Sequence, residues 1–418
     1  MNLRLRFLAT VMTVFLSGCF FRIDTMHPLI RSDVLIDEEH AKAIVAKGKL
    51  VIAADGKTRI LFLRGTPYER GYQQGYLLRD DIQDNLGYIY KQASRKFHSE
   101  ELFEESYERM RPFIPKEYVE EMHGLAHGSR MPLRIVHGFH ALPTMTEWGG
   151  RKHLQELVKK QLWGELGTSC SNFSLNGNAT ADKNFYAVRI LDWGLHRISR
   201  THKYPLITVS VPETGLASVN IGWSGFIGTV SGMNEAGITL GEMGYGNPPG
   251  ETMRGMPMPF MLREVMSKAK NLADVRSVIS GSPGDCSFIY LMTDGKSRES
   301  ELYIRDKDRF VVYKPEQAVI DRDKNVPAIK DTQYGGHYLP VMEEILRASH
   351  GTVTVEKLQT ELIPKFAMPS NFQNVIYDPG HLKFWVANAR NSSERAAEQP
   401  YLEFDFGQEL AKFRADIK

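Results

Sequence analysis

Cysteine is almost absent from this chain of 418 residues, which contains only Cys19, Cys170 and Cys286. Three cysteines cannot form the disulfide framework of a small secreted domain. The chain also lacks an excess of charge of either sign, because 52 basic residues face 50 acidic ones and the formal net charge is +2. This balance, with no basic run, excludes an electrostatic case for a nucleic-acid partner. Low-complexity segments and repeats of solenoid period are missing as well.

Long apolar runs are missing beyond the N-terminus, so the sequence predicts no membrane-spanning helix there. Arg4 and Arg6 precede the apolar residues 7–16, a run too short for the ~20 residues that a membrane span needs. The run ends in Leu16-Ser17-Gly18-Cys19, which resembles the processing site of bacterial lipoproteins. We expect residues 1–19 to be a lipoprotein signal peptide with Cys19 as the lipid-attachment residue, palmitate being one acyl chain it could carry. An ordinary secretory peptide before an unmodified cysteine is the alternative.

The predicted lipid attachment also predicts where in the cell the protein lies. A chain with acyl groups on Cys19 would be a folded body tethered to a membrane by its N-terminus. We therefore expect it in the bacterial cell envelope, on the periplasmic side of the outer membrane.

The remaining sequence has the composition of a globular protein, with 42% apolar and 24% charged residues. Apolar runs on either side of Asp55-Gly56 predict a β-hairpin over residues 51–64. Residues 68–163 favour several helices, a strand-rich pattern begins near residue 167, and helices return at 258–280 and 338–364. Strands and helices in separate blocks indicate stacked layers of an α+β fold, not a parallel sheet wound from βαβ units.

Cys170 lies where small polar residues lead into a strand-like run. Considered alone, a cysteine in such a place is more often a small buried residue than a nucleophile. Arg189 and Asp192 flank the end of a following apolar strand, where charges are costly to bury unless they are matched. They form either a structural ion pair or a cation that favours a thiolate beside a carboxylate that orients an amine.

Two further patterns concern turns and packing. Gly71 and Gly75 are four residues apart on a predicted helix, which indicates that another element approaches closely. Residues 230–238 predict a tight hairpin turn, in which Asn234 is more readily explained as a turn residue than as a catalytic one.

The ordered set of motifs resembles the acyl-coenzyme A:6-aminopenicillanic acid acyltransferase family of cysteine N-terminal-nucleophile (Ntn) hydrolases. Phospholipase B-like proteins and choloylglycine hydrolases are more distant relatives of that family. The resemblance spans residues 60–390, and its motifs are Gly65 to Gly75 (G-x-P-x-E-R-G-x-x-x-G), Cys170-Ser171, Arg189 to Asp192 (R-x-x-D) and Gly232 to Gly237 (G-M-N-E-x-G).

The resemblance implies a fold and a division of the chain. The fold would be a four-layer αββα sandwich. Residues 20–169 would be a mostly helical propeptide or α chain, and residues 170–418 the catalytic β chain. The two chains could stay associated after cleavage.

The resemblance also implies a mechanism without a cofactor. The precursor would cleave itself at Ser169–Cys170, and the new α-amino group of Cys170, with a reference pKa of about 7.7–8.0, would take the proton of its own thiol. Arg189 and Asp192 would surround this nucleophile. The enzyme would hydrolyse or transfer the acyl group of a small-molecule or lipid-like amide through an acyl-enzyme.

The chain departs from the family at the oxyanion hole. Where distant members have an asparagine beyond the G-M-N-E turn, this chain has Gly244, so Asn234, Gly244, Asn247 and Asn371 remain candidates for substrate or oxyanion contacts. His123 and His127 lack the glutamate of an H-E-x-x-H motif, and we expect no metal. A non-catalytic envelope lipoprotein on an Ntn scaffold and an uncut cysteine lipase or esterase are the alternative functions.

Overall fold

The computed structural model describes residues 36–97, 101–147, 170–194, 199–245, 252–321, 324–336 and 339–416. Contacts divide the chain into two compact units, Met1–Lys42 and Ala43–Lys418. The predicted signal peptide with Cys19 lies outside the described residues, as do Ser169 and Asn247. Among the described helices, none has both the length and the apolar character needed to cross a membrane.

The segment that precedes Cys170 is mostly helical where it is described. Helix α2 (Pro67–Leu77) begins at a capping box, in which the N–H of Glu69 donates to Thr66 Oγ1 (3.2 Å) and the N–H of Thr66 donates to Glu69 Oε2 (3.0 Å). The helices of this segment are α1 Glu38–Val45, α2 Pro67–Leu77, α3 Arg79–Phe97, α4 Glu101–Met110, α5 Lys116–Ser129 and α6 Leu133–Glu147, with a 3₁₀ turn at Arg111–Phe113.

The same segment also forms the predicted hairpin. Strands β1 (Lys49–Ile52) and β2 (Arg59–Gly65) pair in antiparallel register. At the turn, Asp55 Oδ1 accepts hydrogen bonds from the N–H of Lys57 (2.9 Å) and of Thr58 (2.8 Å). The sequence prediction of a hairpin at this place is therefore confirmed.

Two sheets form the middle of the second unit. One has nine strands in the order β1-β2-β5-β6-β7-β8-β9-β10-β11, and the other has six in the order β14-β3-β4-β15-β16-β17. Strands β12 and β13 make a separate ribbon. The strands after Cys170 are β3 Ser171–Leu175, β4 Tyr186–Asp192, β5 Pro205–Pro212, β6 Ser218–Trp223, β7 Ser231–Asn234, β8 Ile238–Gly244, β9 Phe288–Asp294, β10 Glu299–Arg305, β11 Phe310–Tyr313, β12 Val319–Asp321, β13 Lys324–Val326, β14 Thr332–Gly335, β15 Asn371–Asp378, β16 Lys383–Asn388 and β17 Leu402–Asp405.

The two sheets pack face to face. Asn172 of β3 lies against Gly241 of β8, where an added Cβ would meet the Asn172 side chain at 2.7 Å. Ser174 Oγ of β3 donates to Ser300 Oγ of β10 at 2.8 Å. Further along the interface, an apolar cluster joins residues of both sheets, such as Val209 and Val375. The inner faces of the two sheets are therefore in direct contact at several places.

Helices cover the outer faces of both sheets. On the nine-stranded sheet, helix α7 (Met258–Lys268) lies over the β7–β8 hairpin, and Asn234 Nδ2 donates to the carbonyls of Met266 (3.1 Å) and Ala269 (2.8 Å). On the six-stranded sheet, Phe173 packs edge-on against Phe366 of helix α11 with ring centroids 5.5 Å apart. The helices after Cys170 are α7 Met258–Lys268, α8 Leu272–Gly281, α9 Leu339–Ser349, α10 Val355–Lys357, a π turn Leu358–Leu362, α11 Ile363–Phe366 and α12 Phe406–Ala415, with 3₁₀ turns at Gly177–Ala179, Thr201–Lys203 and Ala396–Glu398.

The order of layers is thus helix, sheet, sheet, helix. The predicted α+β class with its four-layer αββα sandwich is confirmed. The sequence did not predict that β2 pairs in parallel with β5 over seven residues, from Arg59 opposite Leu206 to Gly65 opposite Pro212. Through this ladder the segment before Cys170 becomes part of the larger sheet.

Candidate active site

The candidate residues meet at one end of the six-stranded sheet. Cys170 immediately precedes β3, Asp192 ends β4 and Asn371 begins β15, and these three strands are neighbours. Asn371 is the ladder partner of Asp192, while Asn172 pairs with Arg189. The antiparallel order explains the convergence, because the start of β3, the end of β4 and the start of β15 lie at the same edge.

The Cys170 thiol is buried and in contact with Arg189. Burial raises the pKa of Cys170 to about 12, and the nearby carboxylates of Glu242 and Asp192 act in the same direction. The Arg189 guanidinium opposes this by stabilising the thiolate. In the uncut chain described here, the thiol is therefore neutral at ordinary pH.

Arg189 is held in place by three acceptors. Its Nη2 donates to Glu242 Oε1 at 2.6 Å, its Nη1 to the carbonyl of Ile190 at 3.1 Å, and its Nε to the carbonyl of Val230 at 3.4 Å. Burial lowers the pKa of Arg189, but contact with Cys170 and Glu242 outweighs burial and leaves it above its ordinary value. A fixed, fully buried cation thus lies beside the sulfur.

Glu242 was not singled out from the sequence. It sits in β8, and both carboxylate and guanidinium of the Glu242–Arg189 pair are almost completely buried. Burial raises the pKa of Glu242, while Arg189 acts in the opposite direction. The signal was an acidic residue inside the otherwise uncharged run from Ile238 to Met243, since a charge in a buried strand needs a partner.

Asp192 has one occupied and one open carboxylate oxygen. Its Oδ1 accepts hydrogen bonds from Asn371 Nδ2 (3.0 Å) and from the N–H of Met368 (3.2 Å). Its Oδ2 is buried and has no partner among the described residues. Burial raises the pKa of Asp192 to about 7, although the two hydrogen bonds lower it. The site therefore contains a buried acceptor without a donor.

Asn371 orients Asp192. Its Oδ1 accepts from the N–H of Ala397 at 2.8 Å, and its amide exchanges two hydrogen bonds of 2.9 Å with the amide of Asn374. With Nδ2 also donating to Asp192, the Asn371 side chain is held by groups from three directions.

The other candidates lie elsewhere or are engaged in other contacts. Asn234 Oδ1 accepts from the N–H of Ala236 (3.1 Å) and of Ile238 (3.0 Å), and its Nδ2 binds the end of helix α7, so its amide holds the hairpin turn. Gly244 is the last residue of β8, opposite Phe288. Asn247 lies outside the described residues. Catalytic roles for Cys170, Arg189 and Asp192 remain predictions that this geometry makes possible.

The described ranges hold no group of three or more histidine, cysteine or acidic side chains placed to bind a metal ion. His127 Nδ1 instead pairs with the hydroxyl of Tyr68 at 2.9 Å. Cys170 and Cys286 are not joined by a disulfide bond.

Comparison with known proteins supports the family resemblance. The sequence model of the family described as acyl-coenzyme A:6-aminopenicillanic acid acyl-transferase matches residues 194–316, which confirms the resemblance seen in the motifs. Protein dcd1A of Dictyostelium discoideum is 24% identical over 347 residues, which cover 73% of each chain. Protein dcd1B of the same organism is 24% identical over 277 residues, which cover 60% of this chain and 51% of dcd1B.

Two solved structures have low similarity scores. The Caenorhabditis elegans orthologue of N-acylethanolamine-hydrolyzing acid amidase has a TM-score of 0.38 at 10% identity and covers 56% of this chain and 100% of its own. Penicillin V acylase from Agrobacterium tumefaciens has a TM-score of 0.36 at 12% identity and covers 57% of this chain and 87% of its own. Such scores do not assign an activity to this chain. The family match supports an enzyme of the amide hydrolase or acyltransferase kind.

Proposed function

From the match of residues 194–316 to the acyl-coenzyme A:6-aminopenicillanic acid acyl-transferase family, we propose that this chain is a self-cleaving cysteine Ntn amidohydrolase or acyltransferase. The observation that carries the proposal is the contact between the Cys170 thiol and the buried Arg189, at the same strand ends as the open oxygen of Asp192. The proposed mechanism requires these three groups: a thiol nucleophile, a cation that stabilises its thiolate, and a carboxylate that binds an amine.

Self-cleavage comes first. The Cys170 sulfur attacks the carbonyl carbon of Ser169, the Ser169–Cys170 carbon–nitrogen bond breaks, and the nitrogen takes the proton that the thiol gives up. Water then hydrolyses the resulting thioester and releases the carboxylate of Ser169. The product is a chain whose first residue is Cys170, with a primary α-amino group.

The new amino group completes the site. In the uncut chain the thiol is neutral because burial raises its pKa to about 12. An α-amino group beside it accepts the proton, and the ammonium that forms is a donor for Asp192 Oδ2, the acceptor left open among the described residues. Arg189 then stabilises the thiolate. Cleavage therefore supplies the general base that the precursor lacks.

Turnover follows as acyl transfer. The thiolate attacks the amide carbonyl, the carbon–nitrogen bond of the substrate breaks, and the leaving amine takes the proton from the α-ammonium. Water or a second amine attacks the thioester and regenerates the thiol. Gly244 and Asn247 remain the proposed donors to the oxyanion or substrate, because the Nδ2 of Asn371 already donates to Asp192 and Asn374.

The segment before Cys170 is proposed to stay bound after cleavage as an α chain. Its strand β2 pairs with β5 over seven residues, and its Glu121 receives both Nη atoms of Arg263 at 3.0 Å each. Separating the chains would leave the guanidinium of Arg263 without this carboxylate, while Glu121 would keep only its second partner, Arg70. If Cys19 carries lipid, this association is what would hold the catalytic chain in the envelope, near acylated amines and lipid amides.

The experiment compares intact mass and N-terminal sequence of the wild type with those of Cys170→Ala. We expect a new chain that starts at Cys170 in the wild type and none in the variant. Cys286→Ala is the matched control, because Cys286 is also a buried cysteine but lies outside the site, and it should cleave normally. Under non-denaturing conditions the two chains should elute together.

Two results would overturn the proposal. A wild type that stays in one piece and whose Cys170 does not react with thiol reagents would indicate a non-catalytic protein. An uncut chain that hydrolyses esters in a Cys170-dependent way would indicate a cysteine esterase.

A further inference from the structure

A cluster of aromatic rings joins the two sheets at the end where the nucleophile lies. Trp193 directly follows Asp192, Phe372 directly follows Asn371, and Trp223 ends β6 of the opposite sheet. The ring centroid of Trp223 is 5.9 Å from that of Trp193, 5.4 Å from that of Phe372 and 5.1 Å from that of Phe226. All four side chains are buried. The residues next to the candidate catalytic groups therefore form an apolar wall that reaches across the sandwich.

This wall contains polar atoms that lack partners. Within the described part of the chain, Nε1 of Trp193, Nε1 of Trp223 and Oγ of the adjacent Ser224 are buried without a hydrogen bond. Trp193 is 6% exposed, Trp223 2% and Ser224 0%. Buried polar groups are nearly always paired in folded proteins, so two orphaned indole donors in one aromatic cluster, and a third orphaned donor on the residue after Trp223, indicate that a partner is supplied from outside the chain.

Neighbouring polar groups are paired. The carbonyl of Ser224 accepts a hydrogen bond from Asn85 Nδ2 (3.0 Å), and its N–H donates to the carbonyl of Tyr204 (3.0 Å). Elsewhere, the indole of Trp385 donates to Glu403 Oε2 at 3.0 Å. These backbone groups and this indole are satisfied by the protein itself, whereas the indole N–H groups of Trp193 and Trp223 and the hydroxyl of Ser224 are not satisfied by any described residue.

We propose that Trp193, Trp223 and Ser224 form the subsite for the acyl group, and that the preferred acyl chain is largely apolar but carries an oxygen acceptor that binds these donors. This inference rests on the proposed function and names the class of acyl group that the same site would take. Ligand sites commonly combine apolar walls with a few placed polar groups that fix orientation. Here the rings would hold the chain, and the indole N–H and hydroxyl groups would select for the oxygen.

The burial of the cluster favours the acyl group over the leaving amine. During turnover the acyl group stays bonded to the Cys170 sulfur while the amine departs to solvent. A subsite enclosed between two sheets suits the part that is retained. An acyl chain without an acceptor would fill the same space but leave the donors unpaired. Sites built to form a hydrogen bond with a substrate reject most strongly the analogue that lacks the bonding group.

The test uses the cleaved full-length enzyme and coumarin amides of matched acyl chains. The reference is the decanoyl amide, and its analogues carry an ether oxygen in place of the methylene at position 3, 5 or 7. We expect kcat/KM to be about tenfold higher for at least one analogue than for the decanoyl amide. In Trp193→Phe and Trp223→Phe, which lose the indole N–H but keep an aromatic ring, and in Ser224→Ala, which loses the hydroxyl, we expect this preference to fall at least threefold in one or more variants.

Trp385→Phe is the matched control, because it removes an indole N–H that already has a partner. It should keep the wild-type preference. Melting temperatures identify a variant that fails to fold, and the other two variants then carry the test. The inference is wrong if no oxygen-bearing analogue is preferred, or if the preference survives in every donor variant that folds. A wild type that neither cleaves itself nor turns over any of these amides contradicts the proposed function instead.

Discussion

The folded structure destabilises the charged form of the Asp192 carboxyl group. Its ordinary pKa of 3.8 is raised to about 7 by burial, and its Oδ2 has no partner in the described structure. Because the folded-state pKa exceeds the unfolded one, this group lowers stability progressively as pH rises from about 4 to about 7, and fully above that. Such a cost at a site residue suggests that its partner arrives later.

We therefore expect Asp192→Asn to raise the free energy of unfolding at pH 8 by ~2 kcal/mol or more, in a Cys170→Ala background that keeps both proteins uncut. Asparagine retains an oxygen that can accept the hydrogen bonds now made to Oδ1 by Asn371 Nδ2 and the N–H of Met368. The gain should vanish near pH 4, as denaturant titrations at the two pH values can check. Asp182→Asn is the control, because bonds from Tyr186 and a backbone N–H outweigh burial and lower the Asp182 pKa, so its loss should not stabilise.

Glu242 makes a second prediction at this scale. Glu242→Gln keeps an acceptor for Arg189 but leaves the buried guanidinium without a counter-charge. We expect the free energy of unfolding to fall by about 3–5 kcal/mol, and self-cleavage to slow because Arg189 is less firmly held. Chemical denaturation and the rate of appearance of the cleaved chain measure the two effects.

Glu235→Gln is the control, since Glu235 pairs with Arg414 in a partly exposed setting. It should cost no more than about 1 kcal/mol. An equal loss of unfolding free energy in the two variants would contradict the prediction that the buried Glu242–Arg189 pair contributes more than the partly exposed one.

At the scale of elements, the helices α2 and α5 are in close contact through glycines. An added Cβ at Gly71 would lie 1.9 Å from the carbonyl oxygen of Glu121, and one at Gly124 would lie 2.0 Å from that of Tyr68. Both neighbours are backbone oxygens of a helix, which cannot move aside as a flexible side chain can. The sequence prediction that Gly71 and Gly75 mark the approach of another element is confirmed.

Gly71→Ala should therefore lower the free energy of unfolding by about 3 kcal/mol or more, since the helices must separate to admit the methyl group. Gly87→Ala is a matched control within helix α3, where an added Cβ meets nothing within 4 Å. It should stabilise by about 0.5–1 kcal/mol through helix propensity alone. Thermal and urea unfolding of both variants test the contrast, and a harmless Gly71→Ala would mean that the helices are not packed this closely.

At the scale of the whole molecule, buried histidines set the response to acid. Burial lowers the pKa of His137 to about 3 and that of His140 to about 4. His140 is neutral, and its Nε2 accepts a hydrogen bond from the N–H of Ile227 at 2.9 Å, in the loop that leads to Val230, whose carbonyl binds Arg189. Because the unfolded chain takes up protons near pH 6.5 and the folded chain does not, stability is lost as pH falls from about 6.5 towards 4.

His137→Phe removes one of these protonations while keeping the ring that stacks on Tyr107, with centroids 3.7 Å apart. Between pH 6 and pH 4 we expect the free energy of unfolding of the variant to fall less steeply than that of the wild type, by up to ~1.4 kcal/mol per pH unit. His350→Phe, which removes an imidazole bonded, among the described residues, only to a backbone carbonyl in an exposed setting, should follow the wild type. Parallel curves for His137→Phe and wild type would contradict the burial of a neutral imidazole.

The sequence alone determined the local parts of this protein. It predicted the hairpin at Asp55-Gly56, the stacked layers and the glycine contact, because each depends on spacing within one segment. It also named Cys170, Arg189 and Asp192, which the fold brings to one sheet edge.

Only the tertiary structure decided which segments meet. The parallel pairing of β2 with β5, the ion pair of Glu242 with Arg189 and the Trp193–Trp223 contact join residues that no local pattern relates. Strand spacing fixes which face a side chain occupies, but the neighbour on that face depends on how the whole chain packs. The partner of a buried charge is therefore set by the fold, although the need for a partner can be seen in the sequence.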